Sequence, residues 1–254
     1  MTPVQLSAVI ITYNEARNIA RCLDSLAGVA DEVVVVDSYS TDGTPDICRE
    51  KGARVVQRPF AGHIEQKNFA VGAASYDYVL SLDADEALSD TLRQSILAVK
   101  ANWTQDACSM NRRTNYCGQW INHSGWYPDR KTRLFDRRCG QWGGMNPHDK
   151  VEMQPGATST RLAGDLLHYS YYTVEEHFVR ARRYAEISAQ AMLNRGKRGA
   201  WWRMALSPAF KFVRNYLLRR GFLDGRAGWT ICRIAALETY WKYQALRRLQ
   251  RQRV

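Results

Sequence analysis

The sequence predicts an α/β protein with a mostly parallel sheet flanked by helices, followed by a basic helical extension. Three observations predict it. Apolar, β-branched runs alternate with segments of helical spacing over residues 6–101, acidic residues close two of those runs, and the positive charge is concentrated after residue 150. Of the net charge of +11, residues 151–254 carry 19 Lys/Arg against 7 Asp/Glu, whereas residues 1–150 carry 17 against 18.

Ser7–Thr12 is a short apolar run, and Ile19, Cys22, Leu23 and Leu26 follow at helical spacing, which reads as strand then helix. Glu32–Asp37 (EVVVVD) is apolar at successive positions, as a strand covered on both faces requires. Thr41–Lys51 reads as a helix, Arg54–Gln57 as a third strand and residues 65–75 as a helix. Tyr78–Leu82 is a fourth strand ending in Asp83, Ala84 and Asp85, and Ser89 caps a helix through about Ala101. This βαβαβαβα order implies right-handed crossovers and a ligand crevice beyond the carboxyl ends of the strands.

Residues 102–164 are irregular and rich in Gly, Trp, Asn and Arg, with short strands expected near Cys108–Asn111 and Thr132–Phe135, and Leu166–Tyr171 is a further strand. Ser207-Pro208 suits an N-cap and first helical position, after which Phe210, Val213 and Leu217 share one helical face among Lys211, Arg214, Arg219 and Arg220. Trp201 and Trp202 precede that face. Such a segment suits either an anionic membrane surface or a core-facing stripe with a solvated basic side. The last helix, Arg226–Arg253, carries Ile231, Ile234, Leu237 and Trp241 at helical spacing.

The six cysteines show neither a metal-site nor a disulfide pattern, so free thiols in a reducing compartment are expected. No stretch has the length and apolarity of a spanning helix or of a secretion signal, and neither fate is expected. The basic half, with its interleaved Trp and Tyr, has the composition of a nucleic-acid binder. That reading leaves the acidic strand ends unexplained, so no nucleic-acid partner is expected.

Those acidic ends carry the chemistry. Asp37, Asp83 and Asp85 close strands where a crevice should open, and Asp83 and Asp85, two apart, point the same way in extended backbone. Paired carboxylate oxygens suit a hard divalent cation, Mg2+ or Mn2+, bound to a diphosphate. Asn14 and Glu15 follow the first strand and DSYSTDGT, with Ser40 and Asp42, follows the second. These loops suit either hydrogen bonding to a base or ribose, or capping of the next helix.

The combination VIITYNEARNIARCLDSL, VVVVDSYSTDGT, QKNFA and VLSLDADE resembles the family 2 glycosyltransferases, which have the GT-A (Rossmann-like) fold. GWYPDRKTRLF, His148-Asp149, LLHYSY and GFLDG resemble the subgroup that contains the lipopolysaccharide inner-core β-1,4-glucosyltransferases. The resemblance implies a metal-dependent, inverting transfer of a hexose, glucose first, with UDP-glucose as the favoured donor and an inner-core heptose as acceptor. A polyprenyl phosphate or a capsular or other glycan is the alternative acceptor. A cytoplasmic location, peripheral at the cytoplasmic face of the inner membrane, goes with the lipid-linked acceptor.

Residue by residue, the resemblance implies that Thr12, Tyr13, Asn14, Glu15, Asp37, Ser40 and Asp42 line the nucleotide and that Lys67 approaches the pyrophosphate. Asp83 would approach the ribose or the metal, Asp85 would be the principal metal ligand, and His168 a third. An ordinary histidine packed beside Tyr169 and Tyr171 is the plainer reading of His168. Asp149 is the implied general base, one methylene shorter than the Glu usual in the subgroup, with Asp129 the alternative. Trp126, Tyr127, Arg130 and His148 would meet the acceptor. The catalytic domain is expected over 1–172, its donor half 1–101 and its acceptor half 102–172, and the extension over 173–254.

Overall fold

The apolar runs form the strands they predict. The computed structural model of the chain describes residues 3–145 and 148–252, the side chains of Met145 and His148 aside. Strands β1 (Leu6–Thr12), β2 (Glu32–Asp37), β3 (Arg54–Gln57) and β4 (Tyr78–Asp83) alternate with helices α1 (Ile19–Leu26), α2 (Thr44–Glu50) and α3 (His63–Ala73). They pair in parallel in the order β3-β2-β1-β4. Leu6, Ala8 and Ile10 of β1 enter one core and Val9 the other. A strand buried on both faces needs apolar side chains at every position, which is the pattern read above.

Register aligns the strand ends. Thr12 pairs with Asp37, Asp37 with Gln57 and Ile11 with Asp83, so the acidic positions share the C-terminal edge of the sheet. After β4 come β5 (Glu86–Leu88), α4 (Asp90–Ala101), β6 (Ala107–Tyr116), β7 (Gln119–Trp120), β8 (Asp129–Asp136), β9 (Gly140–Met145), β10 (His148–Met153) and β11 (Ser159–Tyr171). Strand β8 lies antiparallel to β4, the sheet continues β8-β6-β11-β5, β7 pairs with β6, and β9 and β10 form a separate antiparallel pair.

The irregular stretch therefore holds more strand than its short apolar runs suggest. Helix α2 starts at Thr44 rather than Thr41 because Asp42 Oδ1 accepts from Thr44 N at 3.0 Å and closes a turn first. Ser89 caps α4 as expected, its hydroxyl accepting from Leu92 N at 3.3 Å.

Two compact units result. The first comprises Met1–Arg112 and Asp129–Tyr169, the second Arg113–Pro128 and Ser170–Val254. The second contains α5 (Val174–Asn194), α6 (Trp201–Val213), a π-helical turn (Arg214–Leu218), a 3-10 turn (Gly221–Asp224) and α7 (Gly225–Arg251). Thr173 and Glu176 form a reciprocal cap at the start of α5, and the buried Ala181, Ala185 and Ala189 give that helix a smooth face. Pro208 lies inside α6, whose N-cap is Ala200, which corrects the reading of Ser207-Pro208 as a helix start. Pro208 removes one backbone donor from the interior of a helix in which no residue is fully buried.

The GFLDG motif works as a clasp within this unit. The Asp224 carboxylate accepts from Asn122 N and His123 N at 3.0 Å each and from Ser124 Oγ at 2.9 Å, so it fixes the 122–124 turn. A Cβ at Gly228 would run into the Gly221 carbonyl, so only glycine lets α7 start there. Among the described residues no helix is long and apolar enough to cross a membrane, and all six cysteines are free.

An aromatic core of Tyr116, Trp126, Tyr171 and His177 seals the second unit, with ring centroids 4.7 to 5.8 Å apart. His177 is 6% exposed, and burial, with Arg180 adding to it, pushes its pKa down from 6.5 to about 4. An unfolded chain binds a proton there that the folded chain refuses. Stability is therefore whole above pH 6.5 and falls as the pH drops toward 4, by up to about 3 kcal/mol. His177→Phe is expected to flatten this part of the pH dependence in denaturant titrations. An unchanged slope would mean that His177 does not titrate as described.

Candidate active site

The C-terminal edge of the parallel strands is built from two kinds of contact. In the first, the loops after β1 and β2 hold each other. Asn14, in the left-handed region at φ 54°, donates its N–H to Ser40 Oγ and accepts from Thr41 N, both at 2.8 Å. Ala16 N donates to Asp42 Oδ2 at 3.1 Å and Glu15 N to Thr44 Oγ1 at 2.8 Å. Asp37 is completely buried beneath this loop, accepting from Ser40 N at 3.0 Å, Ser40 Oγ at 2.5 Å and Gln57 Nε2 at 3.3 Å. Asn14, Asp37, Ser40 and Asp42 thus shape the rim, while the rings of Tyr13 and Tyr39 stand 58% and 53% exposed upon it. Thr12 lies buried below, its hydroxyl without a hydrogen-bond partner.

The second is a network of buried charge. Lys67, near the middle of α3, places Nζ 3.0 Å from Asp83 Oδ1 and 2.7 Å from Asp149 Oδ2. Arg133 of β8 donates from Nη2 to Asp83 Oδ2 at 2.9 Å and Glu86 Oε1 at 2.7 Å. Glu86 also accepts from Asp83 N at 3.0 Å, which closes the turn around the acidic pair. Burial alone would raise the Asp83 carboxyl, but Lys67 and Arg133 outweigh it and hold the group well below the usual carboxylate range. Burial would likewise lower Arg133, but Glu86 and then Asp83 keep it charged.

Each residue of the QKN segment has its own task. Gln66 Nε2 reaches Ser38 Oγ at 3.1 Å, Lys67 binds the carboxylates, and Asn68 exchanges two hydrogen bonds with the Trp142 backbone at 2.8 and 2.9 Å. The Trp142 ring then lies under both cations, with Lys67 Nζ 4.2 Å and the Arg133 guanidinium 5.1 Å from its centroid.

A cavity of about 490 Å³ opens here, lined by Lys67, Asp83, Arg112, Arg133, Trp142 and Asp149 among others. The two candidate bases differ in their surroundings. Asp149 lines the cavity with one oxygen on Lys67. Asp129 has Oδ2 accepting from Arg112 Nε at 3.0 Å and Nη2 at 2.8 Å, while Oδ1 lies 3.1 Å from Lys131 Nζ. Both its oxygens answer to cations.

Asp85 Oδ2 lies 3.2 Å from His168 Nε2, and Asp85 O accepts from Tyr169 N at 2.9 Å. The contact has the length of a hydrogen-bonded ion pair, and its carboxylate and imidazole are groups that could serve a divalent ion. Among the described residues no three His, Cys, Asp or Glu side chains are grouped to hold a metal. An ion at Asp85 and His168 would therefore draw its other oxygens from a diphosphate and water, the usual manner of Mg2+.

The acceptor-side expectations separate. Arg130 lines the same cavity as Lys67. Trp126 is packed into the aromatic core of the second unit, and Tyr127, followed by the cis-bonded Pro128, lines a cavity in that unit with Arg219 and Arg220. The side chain of His148 lies outside the described residues. Glu86, Arg112, Arg133 and Trp142 are the site residues that sequence reasoning missed. Asp129, Lys131 and Arg133 at alternate positions of one strand were the available signal.

The family model described as "Glycosyl transferase family 2" matches residues 7–153. A glycosyltransferase of Rickettsia prowazekii (strain Madrid E) is 30% identical over 255 residues, covering 96% of this chain and 87% of its own. The lipopolysaccharide core biosynthesis glycosyltransferase LpsC of Rhizobium meliloti (strain 1021) is 27% identical over 252 residues, covering 94% of this chain and 93% of its own. Among solved structures, S. aureus TarS 1-349 in complex with UDP is similar over 98% of this chain and 92% of that chain. Its TM-score of 0.50 at 17% identity is a likeness of fold.

Proposed function

Since the chain belongs to the family 2 glycosyltransferases, we propose that it transfers a hexose, glucose first, from a nucleotide sugar to a lipopolysaccharide inner-core heptose with inversion. The observation that carries the donor half is the acidic turn at the end of β4, joined through Lys67 to Asp149 around one cavity. The acceptor half is supported by similarity over nearly the whole chain to a lipopolysaccharide core glycosyltransferase.

Tyr13, exposed at the rim, stacks on the base, and the clasped loops fix the depth at which the nucleotide sits. Asp85 and His168 would hold Mg2+ or Mn2+ with the diphosphate, and the bound ion supplies positive charge against the leaving group. Lys67 faces a choice. Without donor it is shared by Asp83 and Asp149; an arriving diphosphate competes for the ammonium and frees Asp149 to accept a proton. The acceptor oxygen then bonds to the anomeric carbon as the bond from that carbon to the diphosphate oxygen breaks, and Asp149 takes the hydroxyl proton. No covalent enzyme intermediate is involved.

The second unit meets the membrane. Trp201, Leu206, Phe210, Leu217, Leu218 and Leu223 are all exposed, amid Arg203, Lys211, Arg214, Arg219 and Arg220. Apolar side chains that enter the interface beside cations that meet anionic headgroups suit a peripheral protein at the cytoplasmic face of the inner membrane.

Calorimetric titration of UDP-, ADP- and GDP-sugars with and without Mn2+ tests the donor assignment. One nucleotide sugar is expected to bind in a metal-dependent way. Absence of binding across the panel would remove the donor site proposed here.

A further inference from the structure

The second unit contains a cavity to which the proposed transfer gives no task. It measures about 360 Å³, and Asn122, His123, Tyr127, Pro128, Arg219 and Arg220 are among its walls. That volume is within the ~300–1,000 Å³ of small-molecule sites. No acidic side chain is among the described residues that line it.

Its walls are fixed from behind. The Asp224 carboxylate, 3% exposed, holds the 122–124 turn and lies 3.2 Å from His123 Nδ1. Ser124 N donates to the Arg219 carbonyl at 3.2 Å, which ties that turn to the arginine pair through the main chain. Gly125, at φ 77°, lets the Arg219 guanidinium lie against the turn, since a Cβ there would run into it. Ser124 and Arg220 are also in the left-handed region, at φ 60° and 52°. That conformation is costly for residues other than glycine and persists where the surroundings impose it, often at binding sites. It recurs at Asn14 and Tyr39, on the rim of the candidate active site.

The chemistry of the walls selects a ligand. Arg219 and Arg220 have no carboxylate partner among the described residues, and a guanidinium meets a phosphate with two parallel donors. The cavity has room for more than a phosphate. Tyr127 and Pro128 offer apolar surface to the C–H face of a sugar ring, and the Asn122 amide offers two donors and an acceptor. With Nδ1 of His123 on Asp224, Nε2 can bond a hydroxyl in either protonation state, because a hydroxyl both donates and accepts.

We propose that this cavity binds a phosphorylated sugar, its phosphate on Arg219 and Arg220 and its ring against Tyr127, with hydroxyls on Asn122 and His123. Every lining residue belongs to the second unit, so the inference goes beyond the transfer reading and does not depend on it. A lipid headgroup carries the same phosphate, and Arg219 and Arg220 also belong to the surface that meets the membrane. The sugar is the occupant that uses the remaining walls.

Calorimetric titration of the full chain with glucose 6-phosphate, inorganic phosphate and glucose tests the proposal. Glucose 6-phosphate is expected to bind, inorganic phosphate about tenfold more weakly and glucose not measurably. Arg219→Gln and Arg220→Gln, both at exposed positions, are each expected to lower the affinity for glucose 6-phosphate about tenfold, equal to ~1.4 kcal/mol. Tyr127→Ala should weaken glucose 6-phosphate and leave inorganic phosphate unchanged, and Lys67→Gln should change neither. No binding of glucose 6-phosphate, or an affinity untouched by both arginine variants, would overturn the inference. Loss of binding in Lys67→Gln alone would place the phosphate in the other cavity and overturn it as well. Sedimentation with phosphatidylglycerol vesicles reads the other source of phosphate. Vesicle binding that falls when both arginines are replaced, with no glucose 6-phosphate bound by wild type, would make the ligand a headgroup and overturn the sugar. The donor titrations proposed above stand or fall separately.

Discussion

Asp85→Asn is expected to lower turnover by about 10²–10³-fold and to abolish the metal dependence of donor binding. Asn keeps the size and one carbonyl oxygen of the side chain but loses the negative charge that a hard cation requires. The structure limits the other consequences. The Asp85 contact with His168 is a single pair at 3.2 Å, separate from the buried network of Asp83, Glu86, Arg133 and Lys67, so the fold should survive the change. Turnover at saturating donor, calorimetry with and without Mn2+, and thermal unfolding separate the possibilities. Near-normal turnover with intact metal dependence would remove Asp85 from the site, and a large drop in unfolding temperature would make its role structural.

Asp149→Asn is expected to cost about 10²–10⁴-fold in the transfer step, the usual worth of a positioned general base. Its effect on the donor has the opposite sign. Asp149 holds Lys67 at 2.7 Å, and a neutral amide holds it less firmly, so the ammonium becomes more available to a diphosphate and donor affinity stays the same or rises. A fall in kcat with an unchanged or smaller donor KM is therefore the signature. Asp129→Asn should have a smaller effect, because both Asp129 oxygens are already committed to Arg112 and Lys131. If Asp129→Asn abolishes transfer and Asp149→Asn spares it, the base assignment passes to Asp129.

The parallel half of the fold was legible because its rules are local. A strand buried on both faces is mostly apolar, and the acids that end β2 and β4 break that rule at the C-terminal edge of the sheet. Asp83 stood out for the same reason, as the acid that closes a strand, whereas Lys67 stood out only through the resemblance of its QKN motif. The contact of Lys67 with Asp149 was not legible: it runs across 82 residues, a pairing that spacing alone does not encode. Arg133 and Glu86 were illegible because two charges in the core contradict the rule that sorts polar from apolar residues. Their mutual pairing, with Asp83 as a further partner of each, offsets the burial. Pro208 misled for the reverse reason, since a residue that normally opens a helix lies within a helix that has no fully buried residue.

The order in which the chain visits its two units bears on how such an enzyme diversifies. The sheet strand β6 leaves the first unit at Arg112, and the segment Arg113–Pro128 is lodged in the second before β8 returns. Tyr116, Ile121 and Trp126 of that segment share a core with Tyr171 and Ile231, which follow much later in the sequence. A lineage could not exchange the helical region by a single recombination downstream of residue 170, because the inherited insert would be left with a hydrophobic face cut for a missing neighbour. The helical region in this architecture is therefore tied to two stretches of gene that must drift together, and a graft of that region has to carry both.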